Sequence, residues 1–322
     1  AANTLTTVAG IPFYTGDTGS IYTHNVSGTD DTAQYNTAYG LTALDAITTG
    51  DGNTAVGNAA MGANNTGAYN AAFGVDSLRD NTSGDFNTAL GRAAMQSNTT
   101  ADGNTAIGRN AMYSNTTGTR NLAIGALAYD ASDTENDNLA IGYNAMTDNT
   151  QGGTRNIAVG NYALDALTSG DDNVAVGYDA GSAITTGGSN TLVGRDAGKT
   201  ATTVSGNTAV GDSALKINVA EYNTAVGAFA LDSNTTGATN TAVGYGALDA
   251  NSTAEYNTAI GAYALVAATT GSYNTALGRS AGLAITTGTR NIAIGVDTLK
   301  AVTTGVDNTA VGTNAASATT GD

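Results

Sequence analysis

The sequence predicts an all-β protein, a parallel β-solenoid of about seventeen coils with 17 residues in each coil. Three observations support this fold class. The motif Asn-x-Ala-(Val/Ile/Leu)-Gly recurs at an almost constant spacing, the chain holds 43 glycines and a single proline, and its apolar residues are mostly alanine and valine. A fixed period indicates stacked repeats, and small apolar residues fit a thin core repeated many times better than one thick globular core.

The asparagine that begins the motif defines the repeat. Successive asparagines are 17 residues apart, except for an 18-residue step before Asn156 and a 16-residue step before Asn223. We therefore expect the solenoid to extend over residues 36–322. Residues 1–35 lack the motif, and we expect them to cap the first coil or to attach it to something else. The motif asparagines are Asn36, Asn53, Asn70, Asn87, Asn104, Asn121, Asn138, Asn156, Asn173, Asn190, Asn207, Asn223, Asn240, Asn257, Asn274, Asn291 and Asn308.

Two columns of identical residues are predicted to hold successive coils together. With the asparagine as position zero, position four is glycine in every repeat, which indicates a backbone site with positive φ or no room for a side chain. Equivalent residues stack about 4.8 Å apart, so asparagine amides can hydrogen-bond from coil to coil. We expect these structural roles for Asn53, Asn104, Asn173, Asn223, Asn257, Asn308, Gly57, Gly108, Gly177, Gly227, Gly261 and Gly312.

Each coil is expected to contain two short strands, separated by the glycine turn and closed by a Thr-Thr-Gly turn. The repeat is too short for a helical hairpin, and its glycine, asparagine and threonine content disfavours helix. Position eight is mostly leucine or methionine. Where it is glycine, at Gly181, Gly198 and Gly282, an isoleucine or alanine follows three residues later, and we expect Ile184 and Ile285 to fill the missing volume.

Positions two and three are neighbours on the strand, so their side chains point to opposite faces. Position two is alanine except at Leu192, and position three is aliphatic except at Tyr39 and Phe73. Restriction on both faces predicts that one face packs inside the coil and the other packs against neighbouring chains. The alternative is that alanine is simply the size that a narrow coil can hold.

The composition disfavours several function classes. A net charge of −16 disfavours nucleic acid and anionic membranes as partners, and no run of 18 apolar residues is available to enter a bilayer. Without cysteine, and with His24 as the only histidine, we expect no catalytic triad, no metal site and no cofactor, and hence no enzyme. Acidic residues just before the motif, such as Asp51, Asp85 and Asp102, are interpreted as solvated turn residues, with loose calcium sites between chains as the alternative.

Two surface columns are candidates for recognition. The residue before the motif asparagine is aromatic in six repeats, and this column could bind a glycan or a protein surface, although stacking that stabilises the solenoid also explains it. Paired threonines at positions twelve and thirteen suggest an ice-binding array, but adjacent threonines on a strand point in opposite directions. The six aromatic candidates are Tyr35, Tyr69, Phe86, Tyr222, Tyr256 and Tyr273.

The repeated Asn-Thr-Ala-Val-Gly, with Asn-Thr-Ala-Ile-Gly at Asn104 and Asn257 and Asn-Ile-Ala-Ile-Gly at Asn291, resembles repeats in the heads of trimeric autotransporter adhesins (YadA-like). It is also similar to arrays in predicted phage tail fibres and bacterial surface proteins. The resemblance covers residues 36–322, and it implies a left-handed parallel β-roll in which three chains associate.

These observations predict a structural fibre or adhesin module, extracellular on a cell surface or virion. The expected partners are other copies of the chain, as a homotrimer or an end-to-end filament, and a host-surface glycan or protein. A self-assembling filament subunit and an ice-binding solenoid are the alternative functions.

Overall fold

The computed structural model describes residues 6–8, 11–15, 20–23, 32–149 and 152–318, and His24 lies outside them. The described residues form short strands and turns and no helix, so there is no helix among them that could cross a membrane. The strands are β1 (Thr6–Val8), β2 (Ile11–Thr15), β3 (Ile21–Tyr22), β4 (Thr37–Tyr39), β5 (Thr54–Val56), β6 (Ala71–Phe73), β7 (Thr88–Leu90), β8 (Thr105–Ile107), β9 (Leu122–Ile124), β10 (Leu139–Ile141), β11 (Ile157–Val159), β12 (Val174–Val176), β13 (Thr191–Val193), β14 (Thr208–Val210), β15 (Thr224–Val226), β16 (Thr241–Val243), β17 (Thr258–Ile260), β18 (Thr275–Leu277), β19 (Ile292–Ile294) and β20 (Thr309–Val311).

The chain divides into two compact units, residues 1–156 and residues 157–322. In the first unit each strand from β3 to β10 pairs in parallel with its neighbours, and the hairpin of β1 and β2 adds antiparallel to β3. In the second unit β11 to β20 pair in parallel in the same way. Equivalent repeat positions face each other throughout, for example Ala225 and Ala242. The predicted parallel β-solenoid with one coil per repeat is therefore confirmed for each unit.

The described part of each coil contains one strand, so the expected second strand is wrong. In the coil that begins at Asn223, positions six and eight are Phe229 and Leu231, whose φ angles are 59° and 52°. Left-handed residues at alternate positions interrupt an extended chain and turn it back towards the first strand. Their backbone N–H groups still bond to neighbouring coils, from Phe229 to Asp212 and from Leu231 to Ala247, each at 3.0 Å.

The interior of a coil is built from small side chains in fixed columns. Positions two, seven and eight point inward, and in one coil Ala225, Ala230 and Leu231 all have 0% exposure. The same columns are buried in nearly every described coil of both units. Close packing of alanine against one larger aliphatic residue produces a narrow core that continues from coil to coil.

The glycine at position four has the positive φ and the close packing that its constancy predicts. Gly177 has a φ of 144°, and a Cβ at this residue would lie 2.6 Å from the carbonyl carbon of Gly194 in the next coil. Any side chain here would overlap rigid backbone. The column therefore sets how closely successive coils approach.

The asparagine at position zero connects coils through its side-chain oxygen. The Oδ1 of Asn53 accepts the backbone N–H of Asn70 at 3.0 Å, while its Nδ2 donates to the carbonyl of Gly67 in its own coil at 2.8 Å. Nearly all described repeats follow this arrangement. The expected amide-to-amide ladder is thus mostly a side-chain-to-backbone ladder, which closes the corner of one coil and binds the next coil.

A second asparagine column, at position eleven, forms the amide-to-amide ladder instead. The Nδ2 of Asn81 donates to the Oδ1 of Asn64 at 2.8 Å, and Asn98 and Asn115 continue the series at 2.7 and 3.1 Å. All four side chains are buried. Several of these asparagines begin Asn-x-Ser/Thr triplets, and burial makes them inaccessible to a glycosylating enzyme in the folded chain.

Leu192, the only non-alanine at position two, fills space that two glycines leave empty. A Cβ at Gly181 would lie 2.8 Å from Leu192 Cδ1, and a Cβ at Gly198 would lie 2.7 Å from Leu192 Cδ2. The expected compensation by Ile184 and Ile285 is also present. A Cβ at Gly181 would lie 3.2 Å from Ile184 Cδ1, and a Cβ at Gly282 would lie 3.0 Å from Ile285 Cδ1.

Candidate interaction surface

The parallel sheet has one face inside the coils and one face towards the solvent. Along each strand the middle residue, position two, is buried, while positions one and three point outward. In the second unit Val226, Ile260 and Leu277 are 36%, 40% and 46% exposed at position three. Alanine at position two is thus the size that the interior holds, whereas the aliphatic residue at position three is not covered by its own chain.

The outward face of the sheet carries no charge. None of the 27 acidic and 11 basic residues stands at positions zero to three of any repeat. Position one is threonine or an apolar residue, and position three is always aliphatic or aromatic. In a chain with a net charge of −16, all of this charge lies elsewhere on the surface.

The six predicted aromatic residues before the motif asparagine are all solvent-exposed, between 49% and 64%. They do not form one continuous strip. Tyr69 stacks on Phe86 with ring centroids 5.3 Å apart, and Tyr256 stacks on Tyr273 at 5.1 Å, each pair with an interplanar angle of 9°. Because the two rings of each pair cover each other's inner faces, each pair presents ring edges to a partner, together with the hydroxyl groups of its tyrosines.

Backbone conformation explains why glycine also occurs in this column. The residue at position minus one has a positive φ, as in Tyr35 at 59° and Gly52 at 67°. Glycine adopts this conformation without strain. At two of the three glycines the ring of the next coil covers this site: a Cβ at Gly206 would lie 2.8 Å from Cδ1 of Tyr222, and a Cβ at Gly52 would lie 2.8 Å from Cδ1 of Tyr69. A Cβ at Gly103 would have no atom within 4 Å.

A second aromatic group lies just after the strands, at positions five and six, and the sequence interpretation missed it. In the second unit Phe229, Tyr245 and Tyr263 meet edge to face, with centroids 5.7 and 5.3 Å apart. Tyr162 and Tyr178 form a further edge-to-face pair at 5.8 Å. The signal was weak because the aromatic residue alternates between two positions of the repeat.

The threonines at position twelve use their hydroxyl groups within the solenoid. The Oγ1 of Thr185 donates to the carbonyl of Thr202 at 3.2 Å, and Thr235 and Thr286 donate to the equivalent carbonyls at 2.7 and 3.1 Å. Their neighbours at position thirteen point to the solvent, as expected for adjacent residues. The paired threonines therefore do not form a two-column array on one surface.

The acidic residues at position minus two accept hydrogen bonds from the preceding coil. Asp51, Asp85 and Asp102 accept the backbone N–H groups of Gln34, Ala68 and Asp85, each at 2.7 Å. These carboxylates thus link coils within the chain. Across the described residues, no group of three or more acidic or histidine side chains is placed to hold a metal ion.

One coil of the first unit replaces the asparagine at position eleven by a different polar cluster. The buried carboxylate of Glu135 accepts the hydroxyl of Ser132 at 2.9 Å and the N–H groups of Asp133, Thr134 and Gly152 at 3.0 Å. Four donors satisfy this carboxylate, so it closes the coil and does not present a free base. Burial raises the pKa of neighbouring Tyr129, which therefore stays neutral.

The charged side chains outside the sheet face form short ladders. Arg120 binds Asp137 in the next coil through two hydrogen bonds, of 2.6 and 2.8 Å, and this pairing lowers the pKa of Asp137. At position nine, partial burial and then the charge of Asp232 raise the pKa of Asp249. The surface thus contains both compensated pairs and adjacent like charges.

No protein-family model matches the chain, and no curated protein is similar to it.

Proposed function

We propose that this chain is a structural module of an extracellular fibre or adhesin, on a cell surface or a virion. One observation carries the proposal: the interior columns are filled by buried alanine, leucine and asparagine, whereas aromatic residues are exposed in many coils. A coil of this size leaves little room for the hundreds of Å³ that a small-molecule pocket occupies. Recognition then uses the surface, and weak contacts repeated from coil to coil add through multivalency.

The aromatic column at position minus one is the proposed adhesive element. Tyr222, Tyr256 and Tyr273 combine an apolar ring with a hydroxyl group and are about half or more exposed, which suits contact with a glycan or a protein surface. The resemblance to adhesin heads and tail fibres supports the same class of function.

The test measures adhesion of beads coated with the full chain to a mucin surface and to an albumin surface. We expect adhesion to mucin, and at least a tenfold loss when Tyr222, Tyr256 and Tyr273 are changed to serine, a residue that this column already contains at Ser189. Thr236→Ser, Thr270→Ser and Thr287→Ser provide the matched control at an exposed column. Equal binding to mucin and albumin would contradict the proposal.

An end-to-end filament is less well supported. The edge of the first parallel strand, β3, is paired with β2 in an antiparallel hairpin. Stacking another copy in register on this edge requires displacement of the hairpin. Negative-stain microscopy of the purified chain separates the alternatives, because particles of one size fit a module and fibres of variable length fit a filament.

Ice binding is the second candidate function, and one column favours it. Thr191, Thr208, Thr224, Thr241, Thr258 and Thr275 stand at position one of six successive coils, on the outward side of one parallel sheet. Position three of the same strands is aliphatic, which leaves a single threonine column. Thermal hysteresis above that of albumin, lost in Thr224→Lys and Thr241→Lys, would make ice binding the preferred function.

A further inference from the structure

The outward face of β11–β20 is an uncharged, largely apolar surface with no covering element in its own chain among the described residues. Ten parallel strands present two side chains each, at positions one and three. Val226, Ile260 and Leu277 are each more than one-third exposed at position three. A monomer rarely exposes an apolar patch of more than a few hundred Å², and larger patches mark interaction sites.

The side chains of this face lose little conformational entropy on binding. Most are threonine, valine or isoleucine, which are already restricted at χ1 by their branched Cβ atoms. Binding therefore orders few rotamers, unlike a surface of lysine or glutamate. Tyr222, Tyr245 and Tyr273 border the strands and add exposed aromatic area on both sides of them.

The size of the face meets the requirement of a stable interface. Twenty outward side chains lie on the ten strands, and a standard protein interface uses about 20–30 residues on each partner. The face is also continuous, since every strand from β11 to β20 pairs in register with the next.

The repeat spacing identifies the partner. Residues on this face recur at the spacing of paired strands, about 4.8 Å. A second copy of the chain has the same spacing, so its side chains interdigitate along the whole face, as in the dry interfaces between stacked sheets. The acidic surfaces of two copies repel each other, but no charge lies on this face to oppose its pairing.

We propose that the outward face of β11–β20 is covered by the same face of another copy of this chain. The inference rests on the proposed structural function, which it deepens by naming the surface of self-association. A self-complementary patch forms a closed, symmetric contact, so the result is a defined oligomer and not an open fibre.

The test is sedimentation equilibrium of the full chain at micromolar concentration. The wild type is expected to have twice the mass of one chain, which is 31.7 kDa. Val226→Lys, Ile260→Lys and Leu277→Lys together are expected to weaken association at least 100-fold. Because all three side chains are exposed, circular dichroism and the melting temperature of the separated chains should be unchanged.

The matched control places lysine in the same three coils at position thirteen, as Thr236→Lys, Thr270→Lys and Thr287→Lys. These side chains are also exposed, and the control adds the same charge. It should associate like the wild type. A wild type of 31.7 kDa, or equal dissociation of the control and the face variant, would overturn the inference.

Failure of the inference is distinguishable from failure of the proposed function. A wild-type monomer that still adheres to mucin contradicts only the self-association. A wild-type oligomer that adheres no better to mucin than to albumin supports the self-association and contradicts only the adhesive role.

Discussion

Four positions of each coil carry positive φ angles, and they set the residues that the coil accepts. In one coil these are Tyr222 at 59°, Gly227 at 129°, Phe229 at 59° and Leu231 at 52°. A left-handed residue other than glycine costs about 1–2 kcal/mol. The conformation persists because each of these residues also hydrogen-bonds or packs against a neighbouring coil. Of these four positions only position four is always glycine, since it is the one among them where a Cβ would overlap backbone.

Two glycines in one coil separate the effect of φ from the effect of space. Gly103 has a φ of 68°, and a Cβ added there would have no atom within 4 Å. Gly108 has a φ of 141°, and a Cβ added there would lie 2.6 Å from the carbonyl carbon of Gly125. We expect Gly103→Ala to destabilise the protein by about 1 kcal/mol and Gly108→Ala by more than about 3 kcal/mol, from strain and overlap together. Urea denaturation measures both, and equal costs would show that coil spacing does not exclude a side chain.

The packing of Leu192 against two glycines predicts a coupled pair. Leu192→Ala should cost about 2–5 kcal/mol, and Gly198→Leu should cost about 1–3 kcal/mol through overpacking. Together they restore alanine at position two and leucine at position eight, so the double variant should be at least about 1 kcal/mol more stable than the sum predicts. The control combines Leu192→Ala with Gly282→Leu, which lies in a distant coil. If the changes in the free energy of unfolding are additive in both pairs, Leu192 does not occupy the space beside Gly198.

At the scale of the element, each coil is one three-residue strand and a series of turns, and no coil can satisfy its backbone alone. Thr224 donates to the carbonyl of Asn240 in the next coil, and Gly227 donates to Val210 in the previous coil. Hydrogen bonds of this kind are expensive to leave unmade in a buried site. The asparagine columns extend the same principle to side chains, because their amides replace backbone partners at the corners.

The ladder at position eleven predicts a difference between its middle and its end. Asn98 donates to Asn81 and accepts from Asn115, whereas the Oδ1 of Asn115 has no partner. Asn98→Ala removes a hydrogen-bond partner from two buried groups, the Oδ1 of Asn81 and the Nδ2 of Asn115, whereas Asn115→Ala removes one from the Oδ1 of Asn98 alone. Each buried group that loses its partner costs about 1–3 kcal/mol. Thermal denaturation should therefore show a larger loss for Asn98→Ala. Both variants remove the same side-chain atoms from a buried site, so equal losses would indicate that packing, and not the ladder, determines the cost.

At the scale of the whole molecule, charge and apolar surface are segregated. The net charge is −16, yet the sheet face is uncharged and the interior is nearly so. Some acidic residues are compensated by arginine, as Asp307 is by Arg290. By contrast, Asp249 is partly buried and lies beside the like charge of Asp232, and both effects disfavour its ionised form by raising its pKa.

This distribution predicts opposite pH effects for two carboxyls. Burial raises the pKa of Asp249, so ionisation of this carboxyl lowers the free energy of unfolding. This loss of stability develops as the pH rises from the unfolded-state pKa through the folded-state pKa, and it is absent below the unfolded-state value. Asp249→Asn should therefore stabilise the protein at pH 7, by less than about 1 kcal/mol because the group is partly solvated. This gain should disappear on acidification.

Asp307→Asn is the contrasting variant. Arg290 lowers the pKa of Asp307, so the stability from this pair is present above the unfolded-state pKa and is lost as the pH falls. The variant should melt slightly lower than the wild type at pH 7 and at the same temperature in acid. Melting temperatures between about pH 2 and pH 7 test both carboxyls, and a loss of stability in Asp249→Asn at pH 7 would contradict this assignment.

The repeat made much of the fold predictable, because equivalent residues in stacked coils face copies of themselves. Gly177 could be assigned its role on that ground alone. Asn53 was predicted to connect coils through its amide, but its main partners are backbone groups and not other amides. The second strand was predicted wrongly, since nothing in the identity of Leu231 or Phe229 reveals a left-handed backbone. The sequence showed that position three accepts only aliphatic or aromatic residues, but the exposure of these side chains in the structure showed that they face outward. The aromatic pairs Tyr69–Phe86 and Tyr256–Tyr273 occupy adjacent coils, whereas the edge-to-face group escaped notice because it shifts between two positions.

The sequence by itself determined the period, the parallel stacking and the glycine column, since a repeated motif states which residues are equivalent along the chain. It does not state which columns meet across the inside of a coil. Tertiary structure decided that Asn64 and Asn81 form the amide ladder, that Leu192 fills the space beside Gly181 and Gly198, and that an uncharged face is left towards the solvent. Those contacts depend on the direction in which each turn aims its side chains, and left-handed residues set that direction through interactions between coils.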